Sequence, residues 1–82
     1  MLTLYIRPDC PFSHKAMDAF AELEVPYEKK DINEAGVSEE LRERGGYEQV
    51  PFLYGEEGDV NIYESDSIIR YLHEHFGKDA VE

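Results

Sequence analysis

Basic side chains are scarce in this sequence: 8 Lys and Arg stand against 19 Asp and Glu, for a formal charge of −11. A chain so charged repels phosphate backbones and anionic lipid surfaces, so neither nucleic acid nor a membrane is an expected partner. The acidity is read as a solvated surface, with adaptation to a saline host as the alternative. Cysteine is rarer still, since Cys10 is alone and cannot close an internal disulfide. No apolar run approaches the ~18 residues of a membrane span, and the opening Met1-Leu2-Thr3-Leu4-Tyr5-Ile6 lacks the basic start of a secretory signal. These absences lead to the expectation of a soluble cytoplasmic protein in a reducing compartment. Proline (4) and glycine (6) are too few for a low-complexity chain, and there are no repeats. What is present, 41% hydrophobic and 12% aromatic residues in 82, suits one small globular domain over residues 1–82. With no disulfide to staple it, its stability of ~3 to 5 kcal/mol must come from packing regular elements.

Residues 2–6 are apolar or β-prone on both faces, as in a central strand covered from two sides, and Arg7-Pro8-Asp9 closes the run. Phe12, Ala16, Ala19, Phe20 and Leu23 then repeat with helical spacing, opposite His14, Lys15, Asp18 and Glu22. Pro11 suits the first helical position, which places Cys10 at or beside the N-cap. Pro26 ends that segment, and residues 27–32 form a charged strand fit for a sheet edge. Ser38 before Glu39-Glu40 predicts the N-cap of a short helix that Gly45-Gly46 stops. Residues 50–54 and 60–63 are β-prone runs joined by the loop Gly55-Glu56-Glu57-Gly58-Asp59, so they should pair antiparallel. From Ser65 onward Ile68, Ile69, Leu72 and Phe76 line a last helix that stops at Gly77. The order βαβαββα predicts an α/β domain with a mixed four-stranded sheet flanked by helices. Tyr5, Phe12, Phe20, Phe52 and Phe76 are expected in its core, with Phe12 also a candidate wall of the thiol site.

The sharpest chemical feature is Cys10-Pro11-Phe12-Ser13 at a strand-to-helix junction. Amide donors and the helix dipole there stabilise a thiolate, and cysteines so placed have pKa values of roughly 3.5 to 7.5 instead of about 8.5. Arg7 and Lys15 can add positive potential, whereas Asp9 opposes them. A buried cysteine acting as a small hydrophobe is the competing reading. His14 is close in sequence but on the solvent face of its helix. His73 and His75 are two apart on a helix, project to different sides and cannot chelate one ion, so no metal site is expected.

The motifs Cys10-Pro11-Phe12-Ser13, Val50-Pro51 and Glu64-Ser65-Asp66, in this order across residues 2–76, resemble those of the glutaredoxin family in a monothiol C-P-F-S form. They are similar as well to the N-terminal glutathione-binding domain of glutathione transferases. Gln49 before Val50-Pro51, the phrase Tyr63-Glu64-Ser65-Asp66-Ser67-Ile68 and the C-P-F start lean toward the transferases. The all-helical second domain of a transferase is not found in these 82 residues, and on that ground the glutaredoxin reading is preferred. The resemblance implies a thioredoxin-like fold, glutathione or an equivalent small thiol as co-substrate, and a cis Val50-Pro51 bond. It implies catalysis by Cys10 with Ser13, which stands where a second cysteine would be. It also implies a glutathione site drawn from Arg7, Pro11, Phe12, Gln49, Val50, Pro51, Glu64, Ser65 and Asp66. Val50 would offer its backbone, Ser65 would meet the γ-glutamyl carboxylate, Asp66 the ligand ammonium and Arg7 the glycyl carboxylate.

The function so implied is a thiol-disulfide oxidoreductase that removes glutathione from proteins through Cys10. Since the chain has one sulfur nucleophile, an external thiol must resolve the mixed disulfide. The expected partners are that thiol and glutathionylated or disulfide-containing proteins, with the chain as a monomer. Two alternatives stay open: a carrier in which two chains and two glutathiones ligate a [2Fe-2S] cluster, which Pro11 in place of glycine disfavours, and a non-catalytic glutathione-binding module of the transferase type.

Overall fold

The computed structural model describes residues 2–55 and 60–77. In chain order the elements are β1 (Leu2–Ile6), α1 (Pro11–Leu23), β2 (Tyr27–Asp31), α2 (Val37–Gly45), β3 (Phe52–Gly55), β4 (Asn61–Ile62) and α3 (Ser65–Phe76). They follow the predicted βαβαββα order. The strands make one sheet in the order β2-β1-β3-β4, with β1 parallel to β2 and antiparallel to β3, and β4 antiparallel to β3. This is a thioredoxin-like α/β arrangement. The parallel β1-β2 pair requires a crossover, which α1 supplies, and the sequence-adjacent β3 and β4 pair antiparallel beyond it.

Why β1 reads as apolar on both faces is plain from the packing. Leu4 and Ile6 join Ala16, Ala19, Phe20, Leu53, Ile68 and Leu72 in a core between the sheet and the α1/α3 layer. Tyr5 points to the opposite face and packs with Phe52 under Val37 and Leu41 of α2. A strand alternates its side chains between faces, so β1 can be hydrophobic throughout only where both faces are covered. Tyr5 also carries its hydroxyl into a polar cluster: it donates to Glu40 and accepts from Arg44 Nη1 at 2.6 Å, while Lys30 Nζ reaches Glu40 at 2.7 Å. Burial, then the Glu40 carboxylate, holds the Tyr5 phenol above its ordinary pKa, and the Lys30 and Tyr5 hydrogen bonds hold Glu40 below its own.

Several expectations shift. Gly36, not Ser38, precedes α2; its φ of +83° is open to glycine, and its carbonyl accepts the Glu40 amide at 3.1 Å. The helix begins early because Val37 is a buried anchor, which leaves Ser38 inside the first turn. Strand β3 starts at Phe52 because Pro51 has no N–H to give a ladder. Strand β4 is two residues long, although Gly55 N still donates to Val60 O at 3.0 Å, so the pairing continues toward the turn. Residues 56–59 of the predicted hairpin loop lie outside the described residues. Phe12 and Phe76, expected in the core, are 60% and 45% exposed. Phe12 sits in the first turn of α1 between the buried Cys10 and Ser13, on the side that lines the cleft described below, and Phe76 ends α3 past its last buried residue, Leu72.

Candidate functional site

Cys10 is the N-cap of α1, with Pro11 at the first helical position as the sequence suggested. It is buried, 6% exposed. Burial alone pushes a thiol up; here the Ser13 amide and hydroxyl, the Phe12 amide and the Arg7 charge outweigh it and hold Cys10 below its ordinary value. Ser13 is wholly buried and does double duty, because its Oγ also accepts the Arg7 N–H at 3.2 Å. That bond ties the loop before the cysteine to the helix after it. The Arg7 side chain pairs with Asp9 at 3.0 Å, so its charge is partly spent locally. His14 Nε2 lies 2.5 Å from the Pro8 carbonyl, and since a carbonyl only accepts, this nitrogen donates and is not a free base.

Beside this turn is a cleft of about 260 Å³. Phe12 forms one wall, Gln49, Val50 and Pro51 a second, and Tyr63, Glu64, Ser65 and Asp66 a third. The Val50-Pro51 bond is cis, as the resemblance implied. Seven of the eleven site residues named from the sequence therefore share one cleft; Arg7, Cys10, Pro11 and Ser13 stand outside its lining. The first turn of α3 follows Glu64, an N-cap whose side chain makes no capping bond. Initial amides of a helix have no intrahelical partner, and with the dipole they favour an anion there. Ser65, the first helical residue, is buried and lines this end of the cleft.

Lys15 does not serve Cys10. Its Nζ lies 2.8 Å from Asp66 Oδ1, joining α1 to the start of α3, and this bond holds the Asp66 carboxyl below its ordinary value. Tyr63 was not among the site residues named from the sequence, where it was read as the end of a strand and as the opening of the transferase-like phrase Tyr63-Glu64-Ser65-Asp66-Ser67-Ile68. Its ring lines the cleft, stacks on Tyr47 at 4.0 Å between centroids and packs on Phe52 at 4.4 Å. Nothing in a local pattern marks a tyrosine for such a position; only its place just before Glu64-Ser65 hinted at it. Among the described residues no three His, Cys, Asp or Glu side chains are grouped to hold a metal, and no helix is long and apolar enough to cross a membrane.

A four-stranded mixed sheet flanked by three helices, with a cysteine at the N-cap of α1 and a cis proline before β3, defines the thioredoxin-like class of folds. The chain belongs, more narrowly, to the family described as glutathione S-transferase, N-terminal domain, which matches residues 4–80. A stringent starvation protein A homolog of Haemophilus ducreyi is 32% identical over 76 residues, covering 93% of this chain and 35% of that protein. Among solved structures, an epsilon-class glutathione S-transferase from the housefly Musca domestica superposes with a TM-score of 0.77 at 29% identity, over 99% of this chain and 38% of that one. A glutathione transferase homolog from Drosophila mojavensis, solved with bound glutathione, gives 0.77 at 31%, over 94% and 36%. The chain thus spans a little over a third of the length of these relatives. The family and the two solved structures fall on the transferase side of the resemblance.

Proposed function

We propose that this chain binds glutathione in the cleft beside α1 and that Cys10 exchanges disulfides with it. The observation that carries the reading is the place of Cys10 at the N-cap of α1, two residues from the Phe12 wall of a cleft that Glu64, Ser65 and Asp66 line at the start of α3. In the pose we propose, the γ-glutamyl carboxylate meets the Ser65 amide and the ligand's cysteine pairs with the Val50 backbone. Gln49 and Arg7 lie toward the glycyl carboxylate, and Phe12 and Pro51 enclose the sulfur. Membership of the transferase family and the Drosophila mojavensis homolog's bound glutathione support this choice of ligand.

The reaction runs in two displacements. The Cys10 thiolate attacks the glutathione sulfur of a glutathionylated protein; a Cys10–glutathione disulfide forms, the original S–S bond breaks and the protein leaves as a thiolate. A second glutathione thiolate then attacks the glutathione sulfur held on Cys10, forming glutathione disulfide and restoring the Cys10 thiolate. Ser13 donates its hydroxyl to the Cys10 sulfur whenever that sulfur is the attacking or leaving thiolate. Electrons balance, since one disulfide is exchanged for another at each step.

The test is to mix the protein with a glutathionylated peptide and follow peptide release and the mass of the protein. The expected result is a transient Cys10–glutathione adduct that free glutathione clears, absent in Cys10→Ser. Calorimetric binding of glutathione without any adduct or turnover would instead identify a non-catalytic module, and no binding at all would overturn the proposal.

A further inference from the structure

Between the end of α2 and the cis proline, the chain from Gly46 to Val50 runs without regular structure, yet it supplies the Gln49-Val50-Pro51 wall of the cleft. Tyr63, from beyond β4, grips its start. The Tyr63 hydroxyl accepts the Tyr47 N–H at 3.3 Å and donates to the Tyr47 carbonyl at 2.5 Å, and the two rings stack 11° from parallel. One side chain thus satisfies both backbone groups of one loop residue. The approach is so close that a Cβ on Gly45 would lie 2.0 Å from Tyr63 Oη and 2.7 Å from Cζ, so any side chain at the last position of α2 would push the Tyr63 hydroxyl aside. One residue on, Glu48 is held by Arg42 Nη1 at 2.8 Å.

We infer that Tyr63 is a positioning residue for the cleft: it latches the Tyr47–Val50 segment so that the Val50 backbone and Gln49 face a ligand already in place. Because the hydroxyl proton is donated to the Tyr47 carbonyl, Tyr63 has no proton to give a ligand, and its part is to hold the segment. A segment held before binding loses less conformational freedom on binding, so the latch acts on affinity. This rests on the glutathione reading above and adds to it which residue sets the geometry of that wall.

Tyr63→Phe is the direct test, since it keeps the ring stack and removes the two bonds. Tyr47 is half exposed and its freed backbone groups turn to water, so global stability should hardly move. The readouts are calorimetric glutathione affinity, backbone amide order parameters at 47–50 and the thermal midpoint. Expected are an affinity roughly 2- to 10-fold weaker, the size of one or two net hydrogen bonds, lower order parameters confined to that segment, and a near-constant midpoint. Gly45→Ala, which displaces the Tyr63 hydroxyl by contact, should reproduce the affinity loss. Unchanged order parameters at 47–50 would overturn the latch by themselves, even in a chain that takes up no glutathione. Increased mobility with unchanged affinity would overturn the positioning role, and mobility rising throughout the chain with a fallen midpoint would reduce Tyr63 to a structural residue. Failure of the wild type to bind glutathione would overturn the function proposed above, and the positioning role with it.

Discussion

Replacing Ser13 by alanine separates two jobs that one oxygen performs. The Ser13 hydroxyl helps hold the Cys10 thiol below its ordinary pKa, and its Oγ accepts the Arg7 N–H. The Ser13 and Phe12 amides and the Arg7 charge survive the mutation, while burial goes on opposing ionisation. Thiolate titration, followed by ultraviolet absorbance, should therefore move up toward the ordinary value without reaching it. A hydrogen bond to a charged group is worth about 1.5–3 kcal/mol, so below both titrations the thiolate population falls roughly 10- to 100-fold. A more basic thiolate is a better nucleophile, with a Brønsted coefficient of about 0.4–0.5, which restores near half of that logarithm. The net loss in exchange rate is then roughly 3- to 10-fold. The second job shows in stability: an Arg7 N–H left without its partner costs about 1 kcal/mol, near the low end for a partly buried group, or about 4–8 °C in the thermal midpoint of a domain this small. The pH dependence has a definite sign. Cys10 has a depressed folded pKa, so its ionisation adds stability that is fully present above the unfolded value near 9.0 and is lost as pH falls through the folded one. Ser13→Ala should narrow that window from its acid side. A variant that titrates and exchanges like the wild type would refute the assignment of Ser13 to the thiolate.

Other consequences follow from contacts elsewhere in the fold. Tyr5→Phe removes a buried hydroxyl shared by Glu40 and Arg44 and should cost about 1.5–3 kcal/mol in urea unfolding near neutral pH. Glu40 loses its charge as pH falls through its depressed folded pKa, below the ordinary 4.5, so the penalty should shrink there; a constant penalty would remove Glu40 from the account. Lys15→Gln should bring the Asp66 carboxyl back toward its ordinary pKa by NMR titration with little change in melting, because both side chains are more than half exposed. Glutathione affinity should be flat or rise modestly from low to moderate salt. At 0.1 M the Debye length is about 10 Å, which screens the distant acids of a −11 chain more than contacts inside the cleft. A steep fall with salt in calorimetric titrations would show that long-range attraction dominates instead.

The parts of the fold written in local pattern were legible. Strand β1 announced its two-sided burial through an unbroken apolar run, and α1 and α3 through their spacing and the Pro11 and Gly77 boundaries. Ser38 misled because a good capping residue lay two positions inside a helix whose start is set by the left-handed Gly36 and the buried Val37. Phe12 was half right: helical spacing put it in the core, where Cys10 and Ser13 beside it are buried and it is not, while its second reading as a wall beside the thiol matches its place in the cleft. The cleft's composition came through for another reason, that its motifs sit at element boundaries and carry a family resemblance. What stayed hidden is tertiary: Lys15 meets Asp66 fifty-one positions away, and Tyr63 meets Tyr47 sixteen away. Neither pair falls within the few positions over which helix or strand periodicity is read.

Among the described residues the sheet also has two margins, β2 and β4, and each is guarded differently. At one, β2 carries Glu28, Lys29, Lys30 and Asp31, a strand of mixed charge that is costly to press against another backbone; at the other, β4 is only two residues long. Neither margin offers a foreign strand a long apolar template, so the interior of this small domain can be almost entirely β-branched, aliphatic and aromatic without inviting edge-to-edge growth. Resistance to fibril formation at high concentration thus resides in the two strands that contribute least to the core.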